Sequence, residues 1–173
     1  NRRAVRDHRS GGLAAPVLVV QHLHPSFTGR FLEWMARESA LPVEMATDGL
    51  AIRAGVVYLA PARLHLRLAS GRRLALGAEP DSLHRPSADV LFSSVAAEAG
   101  TAAIGVLLTG MGADGAKGLL DILRAGGRTM VQDESSSAVY GMARAAQSLG
   151  AVEQILSLER IAAEIFAAIG ARA

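Results

Sequence analysis

The stretch from Gly105 to Glu134, GVLLTGMGADGAKGLLDILRAGGRTMVQDE, carries the clearest structural signal in this chain of 173 residues. Its apolar opening, GVLLTG, is typical of a buried strand, and AKGLLDILRAGG has the spacing of an amphipathic helix closed by glycine. The run RTMVQ is again typical of a strand. Two strands joined by a helix lie parallel in a sheet, with a right-handed crossover. The stretch therefore predicts an α/β fold.

The rest of the chain repeats this alternation. PVLVVQ and GVVYLAP are typical of strands, and a helix is expected between them from about Thr28, ending before Pro42. LHLRLASGRRLAL alternates leucines with polar residues such as His65 and Arg67, which predicts a half-exposed antiparallel hairpin. Three more helices and a short strand follow. The first of these helices is expected to begin after Ser87 and to end at Gly100. We predict a three-layer α/β fold with a doubly wound, mostly parallel sheet and an antiparallel hairpin, formed by residues 1–173 as a single domain.

Composition narrows the class of protein. Half of the residues are apolar and 20% are charged, which is typical of a globular domain. The formal net charge is only +2, so nothing calls for nucleic acid as a partner. The absence of cysteine excludes disulfides, thiolate nucleophiles and cysteine-ligated metals. No apolar run reaches the roughly 18 to 20 residues of a membrane span, and no signal peptide is visible. We expect a soluble, cytoplasmic protein without membrane insertion.

The loop inside the opening stretch allows two interpretations. Gly110, Gly112 and Gly115 form the G-x-G-x-x-G pattern of dinucleotide-binding loops. Asp114, however, stands inside the loop, where its carboxylate would lie close to a pyrophosphate that the helix N-terminus is meant to attract. The loop is built either to bind phosphate or to present Asp114. A dinucleotide-binding oxidoreductase is the remote alternative.

Polar residues follow the predicted ends of three parallel strands. His22 and its neighbours follow PVLVV, residues 109–114 follow AAIGVLL, and residues 132–134 follow RTMV. Because catalytic groups collect beyond the carboxyl ends of such strands, we expect all three groups on one rim of the sheet. A histidine and a carboxylate there are two members of a set of nucleophile, base and orienter, and the missing member would be a serine.

Structural roles are expected for the other polar residues of this rim. The only argument for a catalytic role of His24 is that it lies close to His22 in the sequence, so we interpret it as structural. Asp133 and Glu134 are expected to cap the next helix. Asp114 could be the N-cap of the helix that follows it, as well as an orienter of the histidine.

Several strings in this chain resemble the catalytic domain of the bacterial chemotaxis receptor protein-glutamate methylesterases. They are QHLHPSFT, YLAPARLHL, HRPSADVLFSSVA, LLTGMGADGA and VQDESSSAVYGMARAA, and they cover about residues 16–155. The resemblance implies an enzyme that hydrolyses the γ-methyl esters of receptor glutamates, releases methanol and can deamidate receptor glutamines. By motif position it implies that His22 is the catalytic histidine and Asp114 the catalytic aspartate. It places Met111 and Gly112 in a loop near the oxyanion.

The same resemblance implies no metal or organic cofactor, and it implies the cytoplasmic part of methyl-accepting chemoreceptors as the partner. It favours the interpretation of the glycine loop as one that presents Asp114. His84 and Arg85 belong to the string HRPS and are expected to anchor a loop. We expect a monomer.

One departure from the family pattern concerns the nucleophile. In the family it is the serine of a Gly-x-Ser-Thr-Gly-Gly turn, after the first strand and one helix upstream of QH, and this chain has no such turn. Its nearest approach is HRSGG, whose Ser10 follows no apolar strand and is interpreted as a loop residue. We expect the chain to lack the first strand and the serine turn, and to be inactive by itself. The alternative is a catalytically inactive homologue that binds a receptor or signalling partner.

Overall fold

The computed structural model describes residues 13–170, in which strands and helices alternate along the chain. The strands are β1 (Val17–Val19), β2 (Val43–Met45), β3 (Val57–Leu59), β4 (His65–Ala69), β5 (Arg73–Gly77), β6 (Ile104–Leu107), β7 (Arg128–Gln132) and β8 (Gln154–Leu156). The helices are α1 (Pro25–Glu38), α2 (Ala88–Ala99), α3 (Ala116–Arg124), α4 (Gly141–Ser148) and α5 (Leu158–Gly170). Within these residues, no helix has both the length and the apolar content of a membrane span.

The strands form two parallel sheets and one hairpin. The order in the first sheet is β1-β3-β2, and the order in the second is β6-β7-β8. Strands β4 and β5 are antiparallel, with Leu66 opposite Leu76 and Leu68 opposite Leu74. The predicted α/β class, with parallel strands and a hairpin, is confirmed. The described parallel strands belong to two sheets of three strands rather than to one sheet, and β1, at an edge, is only half-buried.

Helix α2 joins the two halves of the structure. Its Leu91 packs against Leu66 of the hairpin in the first core cluster, and its neighbour Phe92 contacts both this cluster and the one around Leu107 of β6. At Gly118 of α3, a β-carbon would lie 2.6 Å from the β-carbon of Phe92. Only glycine permits so close an approach of α2 and α3. The packing of α2 against α3 therefore fixes the loop that precedes α2 relative to the loop that precedes α3.

Helix α1 begins earlier than the apolar pattern predicted, at Pro25 rather than near Thr28. The Nδ1 atom of His24 accepts a hydrogen bond from the N–H of Ser26 at 3.4 Å, so His24 is the N-cap. Proline suits the first helical position because the N–H that it lacks would have no partner within the helix. The helix ends at Glu38, before Pro42, as predicted.

Two features of the first half were not predicted. Strand β2 was missed because three residues with a central glutamate carry too little alternation to be recognised. His65 was expected on the polar face of the hairpin, and this prediction is wrong, because its side chain is 0% exposed. The segment after β5 covers the imidazole, which makes hydrogen bonds with the carbonyl of Pro80 and the N–H of Ser87.

Candidate active site

His22 and Asp114 lie in contact beyond the carboxyl ends of β1 and β6. The Nε2 atom of His22 is 2.8 Å from Oδ2 of Asp114, so the structure brings together the two side chains that were expected to meet. The side chain of His22 is 29% exposed, whereas that of Asp114 is only 6% exposed. A substrate can therefore reach the imidazole, while the carboxylate is shielded behind it.

Asp114 binds the N-terminus of helix α2. Its Oδ1 atom accepts a hydrogen bond from the hydroxyl of Ser87 at 2.6 Å and from the N–H of Asp89 at 3.2 Å. Its Oδ2 atom accepts from the N–H of Ala88 at 2.7 Å, in addition to His22. These partners were not predicted. The serine was visible in the sequence only as the start of a helix, without any sign of what that helix end would bind.

The prediction that Asp114 caps its own following helix is wrong. The N-cap of α3 is Gly115, which has a φ of 92° and no side-chain capping bond. This left-handed glycine turns the chain so that Asp114 points to α2 instead. The carboxylate still benefits from a helix dipole, but the dipole belongs to the neighbouring helix.

The surroundings of Asp114 fix its charge. Burial alone would raise the pKa of this carboxyl group, because a charge is less stable away from water. Hydrogen bonds from His22, from the Ser87 hydroxyl and from the two N–H groups of α2 outweigh burial and hold the pKa well below its usual range. Asp114 is therefore a permanent anion at neutral pH. A fixed anion beside an imidazole stabilises the protonated form of that ring.

His84 covers one face of His22. The two rings stack with centroids 4.5 Å apart and planes inclined by 22°. Arg85, the next residue, pairs with the carboxylate of Asp81 at 3.0 Å. Arg85 has the expected role of a loop anchor, whereas His84 contacts the candidate catalytic histidine directly. His84 stacks on one face of the His22 ring and Asp114 binds Nε2, so among residues 13–170 the edge with Nδ1 is the one without a hydrogen-bond partner.

The protonation pattern of His22 is a first testable consequence. We expect the neutral ring to carry its proton on Nε2, because the carboxylate 2.8 Å away can only accept. Nitrogen-15 spectra of the imidazoles should therefore show an unprotonated Nδ1 for His22. In the comparison variant Asp114→Ala the acceptor is lost, and the two tautomers should mix. A neutral His22 with its proton on Nδ1 in the unmodified protein would contradict this arrangement.

The loop after β6 is fastened to the start of α4. The N–H of Gly110 donates to the carbonyl of Val139 at 2.9 Å, and the N–H groups of Gly141 and Met142 both donate to the carbonyl of Gly110 at 3.0 Å. A β-carbon at position 110 would overlap the sulfur of Met142. Glycine is needed here for close packing rather than for a positive φ.

Met111 and Gly112 form the exposed tip of this loop. The side chain of Met111 is 81% exposed, and Gly112 has a φ of 92°. Within residues 13–170, the N–H groups of these two residues donate to no protein acceptor. They lie on the same loop as Asp114 and are free to bind a developing negative charge on a ligand oxygen.

The remaining predicted rim residues have structural roles. His24 caps α1. Asp133 accepts hydrogen bonds from the N–H and hydroxyl of Ser136, so it closes a turn and does not cap α4. Glu134 pairs instead with Arg144 of that helix at 2.8 Å. Ser10 lies outside the described residues.

The N-terminus of α3, where a dinucleotide-binding loop would hold pyrophosphate, is occupied by a carboxylate. The N–H of Gly118 donates to Oδ1 of Asp89, from the first turn of α2, at 2.8 Å. A phosphate placed there would meet Asp89 and Asp114 together, and like charges repel. The geometry therefore disfavours the dinucleotide interpretation. Among the described residues, no group of three or more histidine, aspartate or glutamate side chains is arranged to hold a metal ion.

Parallel strands with a buried, ionised aspartate and an accessible histidine at their carboxyl ends define an α/β domain with the histidine–aspartate pair typical of hydrolytic sites. The family model described as CheB methylesterase matches residues 4–165. This chain belongs to the CheB methylesterase family.

Individual relatives agree with this assignment. A Protein-glutamate methylesterase/protein-glutamine glutaminase 2 of Xanthomonas oryzae pv. oryzae (strain MAFF 311018) is 47% identical over 169 residues, which are 95% of this chain and 47% of that protein. A Protein-glutamate methylesterase/protein-glutamine glutaminase of Agrobacterium fabrum (strain C58 / ATCC 33970) is 49% identical over 162 residues, 91% of this chain and 46% of that protein. The chain thus spans about half the length of the curated relatives that it matches.

A solved structure supports the fold. The crystal structure of the Thermotoga maritima CheB methylesterase catalytic domain is similar with a TM-score of 0.86 and 30% sequence identity. The similarity covers 90% of this chain and 85% of that chain. The mixed α/β architecture described above is therefore that of a CheB catalytic domain.

Proposed function

We propose that this chain is the catalytic domain of a protein-glutamate methylesterase that acts in bacterial chemotaxis. It hydrolyses the γ-methyl esters of receptor glutamates with release of methanol, and it deamidates receptor glutamines. The observation that carries the proposal is the 2.8 Å contact between His22 and Asp114, with the aspartate held as an anion by α2. The names of the similar proteins from Xanthomonas and Agrobacterium support the substrate class.

In this reaction a serine hydroxyl attacks the ester carbonyl while its proton passes to Nδ1 of His22. Asp114 stabilises the resulting imidazolium through Nε2. The N–H groups of Met111 and Gly112 bind the oxyanion of the tetrahedral intermediate. Collapse of the intermediate expels methoxide, which takes the proton from His22 and leaves as methanol. Water then repeats the cycle on the acyl-enzyme and restores the serine.

The partner is the cytoplasmic part of a methyl-accepting chemoreceptor, which places the reaction in the cytoplasm. Each turnover replaces a neutral ester with a carboxylate, so the receptor gains one negative charge. The exposed side chains of Leu83 and Met111, 93% and 81% exposed, lie in the two loops that carry His84 and Asp114. Each offers an apolar side chain that a receptor segment can contact near the site.

A second candidate is a catalytically inactive homologue that binds a receptor or signalling partner. The observation in its favour is that no hydroxyl among residues 13–170 makes a hydrogen bond with His22. Under this alternative the same two apolar side chains would serve binding alone.

Methanol release from receptor labelled in its methyl esters tests the proposal. Protein expressed from the complete coding sequence is expected to release labelled methanol. The 173-residue chain alone should release none above background, because residues 13–170 supply a base and an orienter without a hydroxyl bonded to His22. Receptor binding is measured in parallel. Binding without methanol release by the complete protein would favour the inactive homologue.

A further inference from the structure

His65, the first residue of β4, is a buried titratable group that the proposed mechanism does not use. Its side chain is 0% exposed. Its Nε2 atom lies 3.0 Å from the carbonyl oxygen of Pro80, and its Nδ1 atom lies 3.2 Å from the N–H nitrogen of Ser87. One imidazole thus holds both ends of residues 80–87, here called the bridge segment.

The two partners determine the protonation state of His65. A carbonyl oxygen can only accept, so Nε2 must carry a proton, and a backbone N–H can only donate, so Nδ1 must be unprotonated. Only the neutral Nε2–H tautomer makes both bonds, since a second proton on Nδ1 would face the N–H of Ser87.

The charges around His65 are consistent with a neutral ring. Burial lowers the pKa of His65, and the positive charges of Arg85 and Arg67 lower it further. The hydrogen bond to Pro80 and the negative charge of Asp114 act in the opposite direction and are outweighed.

The bridge segment contacts both members of the candidate catalytic pair. Ser87, at its end, donates its hydroxyl proton to Asp114 at 2.6 Å and is itself only 1% exposed. His84, inside it, stacks on His22. The segment contains no helix or strand, so its shape depends on individual contacts. These include the two hydrogen bonds to His65 at its ends and the Asp81–Arg85 pair inside it. Sub-ångström placement of such groups matters, because misplacement by about 1 Å can cost about a hundredfold in rate.

We propose that His65 is a positioning residue of the active site: it fixes the bridge segment so that Ser87 holds Asp114 and His84 holds the ring of His22. It does not touch substrate. The kinetic consequence rests on the proposed methylesterase function, whereas the structural consequence does not.

Two substitutions separate the two hydrogen bonds of His65. In His65→Asn the side-chain oxygen can replace Nδ1 and accept from Ser87, but the bond to Pro80 is lost. In His65→Gln the side-chain nitrogen can replace Nε2 and donate to Pro80, but the bond to Ser87 is lost. In protein expressed from the complete coding sequence, we expect His65→Gln to lower kcat about tenfold with KM within about twofold of the unmodified value. His65→Asn should retain most of the rate.

A purely structural role would give a different result. Equal losses of kcat in the two variants, in proportion to equal losses of thermal stability, would overturn the proposal. If the unmodified protein has no esterase activity, the proposed function fails, and the positioning role is judged by the imidazole resonances of His22. These should shift in His65→Gln and remain in place in His65→Asn, and unchanged resonances in both variants would refute it.

A measurement on the unmodified protein covers the case in which neither variant folds. Nitrogen-15 spectra at neutral pH should show His65 as the neutral Nε2–H tautomer. A charged ring, or a proton on Nδ1, would overturn the assignment, because neither form can make both hydrogen bonds to the bridge segment.

Discussion

Alanine in place of His22 is expected to lower kcat for receptor demethylation by about 10⁶-fold, which is the scale on which removal of a triad histidine acts. Without the imidazole, no group takes the proton of the nucleophile, and the remaining partners cannot compensate because they act as a unit. The measurement is methanol release from methyl-labelled receptor by protein expressed from the complete coding sequence. KM should change little, because His22 contributes to the transition state rather than to receptor binding.

His24→Ala is the matched control for this substitution. His24 lies two positions away on the same rim, but its side chain caps α1 instead of contacting Asp114. The control should therefore retain a rate close to that of the unmodified protein, with a small loss of thermal stability from the missing cap. Comparable losses of activity in the two variants would mean that the base has been assigned to the wrong residue.

Asparagine in place of Asp114 is expected to lower kcat by about 10⁴-fold, as loss of the orienting carboxylate does in serine-type triads. The amide cannot stabilise an imidazolium. Its NH₂ group would also face donors, since the carboxylate now accepts from Ser87 and from two N–H groups of α2. Asp48→Asn is the control, because Asp48 is exposed, lies outside the bridge segment, and its amide oxygen can still accept from the N–H of Leu76. An Asp114→Asn variant with nearly full activity would refute the assignment of the orienter.

The same variant should reveal a pH-dependent contribution to stability. Because the pKa of Asp114 is lower in the folded protein than in the unfolded chain, its stabilising effect is complete above the unfolded pKa of about 4 and is lost as the pH falls towards the native pKa. At pH 7, urea unfolding should give a larger free energy of unfolding for the unmodified protein than for Asp114→Asn. This difference in free energy of unfolding should become smaller below about pH 4. A difference that grows on acidification would contradict the lowered pKa of Asp114.

Local sequence patterns were reliable where an element is long and periodic. The start of α2 after Ser87 and its end at Gly100 were both predicted, because a serine N-cap and a terminal glycine have direct physical roles. Strand β2 was missed because its three residues include Glu44 at the centre. The hairpin was predicted correctly, but the burial of His65 was not, because the residues that cover it come from a different part of the chain.

The candidate active site, like the fold, could be predicted from the sequence only in part. The strand-end rule and the motif resemblance together selected His22 and Asp114, since each lies directly after a strand that the sequence identifies. Neither could indicate that Asp114 would leave its own helix uncapped and bind Ser87, which lies 27 positions away.

The sequence by itself determined the alternation of strands and helices, their parallel arrangement and the histidine and aspartate beyond two strand ends. These depend on periodicity and capping among neighbouring residues, which any short stretch of chain carries with it. The tertiary structure alone decided that α2 presents its N-terminus to Asp114, that His84 stacks on His22 and that His65 is buried beneath the bridge segment. Such pairings depend on how α2 packs between the hairpin and α3, and close packing selects partners by shape and hydrogen-bonding need rather than by distance along the chain.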